Sequence, residues 1–140
     1  MPAQEVVVGS FCIDRYEYPN RVGALPKPDV GWYEARRQCR NLGKRLCASA
    51  EWERACRGLE GWRYSYGPVR DPAACNTHFE GRPPGRVPLA EAGSFPRCQS
   101  PEGVYDLNGS LSEWVEDPWY GETQSFEPWS WPWRDRKSVV

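Results

Sequence analysis

The chain has 140 residues, with 18 lysines and arginines against 19 aspartates and glutamates and a formal net charge of −1. This length suits one domain that buries roughly two-thirds of its unfolded surface. The balanced charge excludes the basic excess that marks nucleic-acid binders, and no apolar run reaches the roughly 18 residues of a membrane-spanning helix.

Val6 to Tyr18 reads as an early strand, β-branched at first and then FCIDRYEYPN. Residues 20–30 form a loop punctuated by Gly23, Pro26 and Pro28. From Gly31 to Leu42 the period becomes helical: Trp32, Ala35, Cys39 and Leu42 share one face, and Glu34, Arg37 and Arg40 lie largely on others. Gly43 follows, where a left-handed residue ends a helix. A second helix is predicted from Ser49 to Arg57. Ser49 is its expected cap, Glu51 and Glu53 stand in the first turn, and Arg54 and Arg57 stand in the last. Its apolar stripe is Trp52, Ala55, Cys56 and Leu59, and Gly58 stops it. KRLC joins the two helices.

Beyond Leu59 no long period is visible. Residues 61–101 read as loop with short extended pieces, broken by RPPGRVP. GVYDLNGSLSEWVED is rich in turn residues but carries Val104, Leu107, Leu111, Trp114 and Val115. The tail PWYGETQSFEPWSWPWRDRKSVV is aromatic and broken by prolines. With 13 glycines, 14 prolines, eight tryptophans and seven tyrosines, order is expected from turns, aromatics and cross-links. No internal repeat or low-complexity linker divides the chain, so residues 1–140 read as one domain.

Cysteines stand at 12, 39, 47, 56, 75 and 98, with no C-x-x-C, a spacing that argues against a closed zinc site. Six cysteines fit a disulfide-bonded, extracytoplasmic protein (periplasmic or secreted). Met1 to Ser10 lacks the basic start and apolar stretch of a signal peptide, so any export signal is expected outside this chain.

Residues 103–117 contain the makings of a hard-cation site. Calcium takes six to eight oxygens from carboxylates, amides and carbonyls on a tight loop. Asp106 and Glu113 supply charged oxygens, and Gly109 permits the sharp turn. The plainer alternative makes them capping carboxylates of an ordinary turn, but two carboxylates in one tight loop favour calcium. Asn108-Gly109-Ser110 also spells a glycosylation sequon, read as accidental inside such a loop. His78, the only histidine, lies near no nucleophile motif. Asp14, Glu17, Glu51 and Glu53 are weighed as acid–base pairs, but Glu51 and Glu53 do not share a helix face and fit the helix dipole better. Trp129, Trp131 and Trp133 read equally as a binding platform and as core aromatics.

Three segments taken together (FCIDRYEYPN at 11–20, WYEARRQCRNLGKRLCASAEWERACRG at 32–58 and GVYDLNGSLSEWVED at 103–117) resemble the formylglycine-generating enzyme, or sulfatase-modifying factor, family. YSYG at 64–67, Cys75-Asn76 and GSFP at 93–96 also look familial. The resemblance covers roughly residues 11–120. It implies an α+β, C-type-lectin-like fold with two short helices, small sheets and much irregular chain. It also implies a calcium site using the side chains of Asp106 and Glu113 and the main-chain oxygens of Gly109 and Leu111. A second calcium site would use Asn76 and Thr77, with Glu80 the best guess for a later ligand.

Enzymes of the family convert a substrate cysteine to formylglycine with oxygen and with copper held by two thiolates, ligands whose softness suits Cu(I). Those thiolates follow an R-G-G-S strand, of which Arg136, Lys137 and Ser138 are a faint echo, and no counterpart of the pair stands in this chain. Cys39 and Cys56 match helix cysteines that form disulfides in some relatives. Cys12, Cys47, Cys75 and Cys98 look like additional staples, and Cys75 with Cys98 is the best local pair because both flank one loop-rich segment. The expectation is a non-catalytic, calcium-stabilised binding or scaffold module that presents loops to a protein or glycan. The alternatives are a copper-dependent oxidase making formylglycine in sulfatases and a small disulfide-rich structural domain.

Overall fold

The computed structural model describes residues 4–77 and 88–117. Its first element is a hairpin, β1 (Glu5–Val8) paired antiparallel with β2 (Phe11–Asp14) in the register Val8↔Phe11 to Glu5↔Asp14. The single early strand expected from the sequence is therefore cut in two. Gly9, with φ +57°, opens the two-residue turn Gly9-Ser10, which reverses the chain without splaying the strands. Val6, Val8 and Ile13 face the core, while Val7 is 72% exposed.

Helix α1 (Trp32–Asn41) turns Ala35 and Cys39 inward, as its period predicts. The Gly43 N–H donates to Arg40 O and the Lys44 N–H to Cys39 O, a Schellman ending made possible by φ +69° at Gly43. Leu42, assigned to the apolar face, sits in this ending and is exposed, because the helix stops one residue before it. The start of α1 is locked to residues 114–115 by two indoles: Trp32 Nε1 donates to Val115 O at 2.9 Å and Trp114 Nε1 to Val30 O at 2.7 Å.

Helix α2 (Ser49–Arg57) buries Trp52, Ala55 and Cys56. The expected Ser49 cap is corrected: the cap position is Ala48, whose N–H donates to Glu51 Oε1 at 2.7 Å. Ser49 is instead the first helical residue, and Asp117 takes over the capping. Its two carboxylate oxygens accept the Ser49 N–H at 2.7 Å and the hydroxyl at 2.6 Å. Leu59 leaves the predicted stripe and is exposed, because Gly58, at φ +72°, has already turned the chain. A Cβ on Gly58 would lie 2.7 Å from Pro101 Cγ, so the 101 loop seats directly on the helix end.

One core cluster packs the hairpin against α2 and the 104–115 segment through Val8, Ile13, Trp52, Ala55, Val104 and Leu107. A second lies beneath α1 around Val30, Ala35, Cys39 and Leu46, and a third surrounds Cys75 and Cys98. The rest of the described chain is irregular, in keeping with the glycine and proline content, and backbone bonds between residues far apart in sequence hold it. Tyr105 N–H donates to Arg15 O, Asp106 N–H to Cys98 O and Glu116 N–H to Cys47 O. These bonds fix both ends of the loop that carries the candidate site.

Candidate functional site

Residues 106–113 pass between the hairpin, the α2 face and the 76–77 segment. Asp106, Gly109 and Ser110 all have positive φ, at +61°, +77° and +53°, and so coil the loop tightly. Asp106 is 3% exposed, and its Oδ2 accepts the Gly93 N–H at 3.0 Å. Glu113 takes a short hydrogen bond from the Trp52 indole N–H, so the aromatic expected only in the α2 core also holds a site carboxylate.

A third carboxylate joins them. Glu17, 8% exposed, accepts the Leu111 N–H through Oε1 at 3.1 Å, while its Oε2 is buried with no hydrogen-bond partner among the described residues. From the sequence alone Glu17 reads only as an acid–base candidate. Its partner lies 94 positions away, and no local pattern carries that information.

Burial pushes all three acids upward. Glu113 is driven to about 8 by desolvation and by the charges of Asp106 and Asp14, with the Trp52 bond opposing. Glu17 is raised well above the usual carboxylate range, first by burial and then by Glu113 and Asp106. Asp106 is raised by burial against the Gly93 bond. Asp14 is raised by burial too, but Lys44 stands 2.5 Å away and offsets much of it. The site is therefore a region where three carboxylates resist ionisation for want of positive charge.

The donor set suits a hard cation: buried oxygens, with one carboxylate oxygen unpartnered. Among the described residues, however, no three His, Cys, Asp or Glu side chains gather closely enough to hold a metal unaided. A bound ion would have to complete its shell from main-chain carbonyls, the part the resemblance assigns to Gly109 and Leu111.

Asn76 and Thr77, expected at a second calcium site, pack against the same loop. The Asn76 carbonyl accepts the Ser110 N–H at 2.9 Å, and its Nδ2 donates to Pro88 O at 2.8 Å. A Cβ on Gly109 would lie 2.3 Å from that carbonyl oxygen, so only glycine permits the approach. Asn108 is 2% exposed, and its Oδ1 accepts the Ser65 N–H at 2.6 Å, which makes the sequon inaccessible in the folded chain. His78, Glu80, Trp129, Trp131, Trp133 and residues 136–138 lie outside the described residues.

Cys75 and Cys98 form the expected disulfide, with Cα atoms 4.9 Å apart. The other staple candidates are placed differently. Cys12 is exposed on β2, while Cys39, Cys47 and Cys56 are at most 1% exposed and serve as core atoms.

Residues 19–139 match the family model of the sulfatase-modifying factor enzyme 1-like domain. A 97-residue stretch is 37% identical to the serine/threonine-protein kinase pkn1 of Chlamydia caviae, covering 69% of this chain and 14% of that protein. The inactive C-alpha-formylglycine-generating enzyme 2 of Bos taurus is 34% identical over 108 residues, 71% of this chain and 35% of its own. The formylglycine-generating enzyme of Streptomyces coelicolor is 33% identical over 117 residues, covering 74% of this chain and 37% of that enzyme. The chain thus spans little more than a third, or less, of the length of these relatives.

Proposed function

Because this chain belongs to the family of the sulfatase-modifying factor enzyme 1-like domain, we propose that it acts as a non-catalytic, calcium-stabilised scaffold that presents loops to a protein or glycan ligand. The single observation that carries this reading is the trio of Glu17 and Asp106, both buried, and Glu113, half-buried against the Trp52 indole, all raised by desolvation around one coiled loop. A divalent cation on Asp106 and Glu113, completed by the Gly109 and Leu111 carbonyls, would neutralise that cost and pin the loop. The ion would be structural: its carboxylates are tied to the Trp52 indole and the Gly93 amide.

The cysteines support the non-catalytic part. A copper centre for thiol oxidation requires two accessible thiolates that meet the substrate sulfur. Among the described residues Cys75 and Cys98 are joined, Cys39, Cys47 and Cys56 are buried, and Cys12 alone is exposed. The similarity to an enzyme whose name declares it inactive, and to a kinase segment, agrees with a scaffold. The helix pair, small sheet and extensive loop fit a C-type-lectin-like architecture, and the disulfide fits an oxidising, extracytoplasmic compartment. The similarity to the Streptomyces coelicolor formylglycine-generating enzyme favours the second reading, a copper-dependent oxidase acting on a sulfatase cysteine.

The test uses the purified chain in calorimetric and thermal titrations with calcium, and on a glycan array with and without the ion. Saturable calcium binding that raises the melting temperature, without oxidation of a C-x-P-x-R peptide by Cu(I) and oxygen, is the expected result. Peptide turnover by a copper-loaded chain would establish the oxidase reading instead, and calcium-independent melting would remove the metal from the scaffold reading.

A further inference from the structure

A cavity of about 50 Å³ lies between β2, the 16–18 segment, the middle of α1 at Ala35 and Gln38, and residues 111–114. A single water needs roughly 10–15 Å³ measured this way, so the space admits a small head group. Its walls combine two kinds of chemistry. Tyr16, Tyr18 and Trp114 contribute aromatic surface, and Asp14, Glu17, Gln38 and Glu113 contribute acceptors.

Two of those acceptors are left over. Glu17 Oε2 and Gln38 Oε1 are both buried without a hydrogen-bond partner among the described residues, although each residue's other polar atom is engaged. Glu17 Oε1 takes the Leu111 N–H, and Gln38 Nε2 donates to Glu34 Oε1 at 3.1 Å. Buried acceptors without donors are costly and uncommon in native structures. Nearby lysines do not meet the need: Lys44 is held by Asp14 and Glu5, and Lys27 by Glu34 at 3.0 Å. The cavity thus offers a carboxyl oxygen that a bound cation would hold ionised and a neutral amide oxygen, beside aromatic walls of the kind that attract cations.

We propose that this cavity receives a primary ammonium head group, a cation with three N–H donors able to serve Glu17 Oε2 and Gln38 Oε1 together. Ammonium fits the set better than a bare metal ion, because an amide oxygen and one carboxylate oxygen supply too few ligands for a hard divalent cation. The half-open placement between a strand and a helix admits either a free alkylamine or the tip of a lysyl side chain from a partner. The cavity borders the calcium site proposed at Asp106 and Glu113, sharing its Glu113 and Leu111 walls, but the ammonium uses a different atom, the oxygen of Glu17 that the loop leaves over.

The test is a titration of the full chain, once saturated with calcium and once with chelator, with methylammonium, Nα-acetyl-lysine amide, tetramethylammonium and potassium. Tryptophan fluorescence and amide chemical shifts report binding, with Trp114 and Gln38 as local probes. Saturable methylammonium binding in both metal states is expected, weakened about tenfold by Glu17→Gln and measurably by Gln38→Leu, with no saturable response to tetramethylammonium. Equal or tighter binding of the lysine derivative would identify a side-chain source, and binding of methylammonium alone a free amine. The proposal is overturned if no saturable response occurs, if potassium or tetramethylammonium binds equally well, or if both folded variants bind like the parent. Loss of the response on calcium saturation would also overturn it, by making Glu17 Oε2 a metal ligand.

Discussion

Replacing Gly109 by alanine tests whether the 106–113 loop is seated on the 76–77 segment as the structure has it. Two costs are separable. The first is conformational: φ is +77°, a region that a Cβ makes unfavourable by about 1–2 kcal/mol. The second is steric: the added Cβ would lie 2.3 Å from Asn76 O, 2.8 Å from Asn76 C and 2.8 Å from Thr77 Cγ2. Two of those atoms are backbone, so the loops must part, and the Ser110 N–H to Asn76 O bond at 2.9 Å goes with them. Overpacking of this kind adds about 1–3 kcal/mol. Gly43→Ala is the control, because Gly43 has φ +69° but nothing within 4 Å of its Cβ position. In urea unfolding, Gly43→Ala should lose about 1–2 kcal/mol and Gly109→Ala about 2–5 kcal/mol. At roughly 3 °C per kcal/mol for a chain of this size, the two melting points should differ by several degrees. Equal losses, with unchanged denaturant slopes, would refute the close approach of the two loops.

Removing the disulfide with Cys75→Ala/Cys98→Ala should cost about 3.5 kcal/mol in non-reducing urea melts, from closure of a loop with separation 23, and the deficit should vanish against the reduced parent. Asp117→Ala should destabilise by about 1–2 kcal/mol, and adding Ser49→Ala should cost far less than the sum, because both remove one cap; a double-mutant cycle measures the coupling. Without calcium, Glu113 is raised in the fold to about 8 from an ordinary 4.5, and Glu17 and Asp106 are raised too. Stability in chelator should therefore be greatest below about pH 4.5 as far as these groups are concerned and should fall as pH rises toward 8. Saturating calcium should flatten or reverse that slope, read by thermal melts across the pH series.

Local pattern carried much of this molecule. The 3.6-residue period placed α1 and α2 almost to the residue, with Gly43 and Gly58 as their ends. The three motifs identified the family, and the flanking of one loop-rich segment singled out Cys75–Cys98. The misses share one cause. Ser49 looks like a cap until Asp117, 68 residues on, takes that role, and the early strand looks continuous because Gly9-Ser10 is a short signal inside a β-branched run.

What the sequence determined by itself is whatever neighbouring residues decide through backbone geometry: the helices, their glycine stops and the turn-rich loop that holds Asp106 and Glu113. Only the tertiary structure decided which distant groups meet there. It set Glu17 beneath Leu111, the Trp52 indole on Glu113 and the Asn76 carbonyl against Gly109. The reason is physical: a carboxylate's behaviour depends on the solvent and charge around it, and packing brings these together from parts of the chain that no local pattern connects.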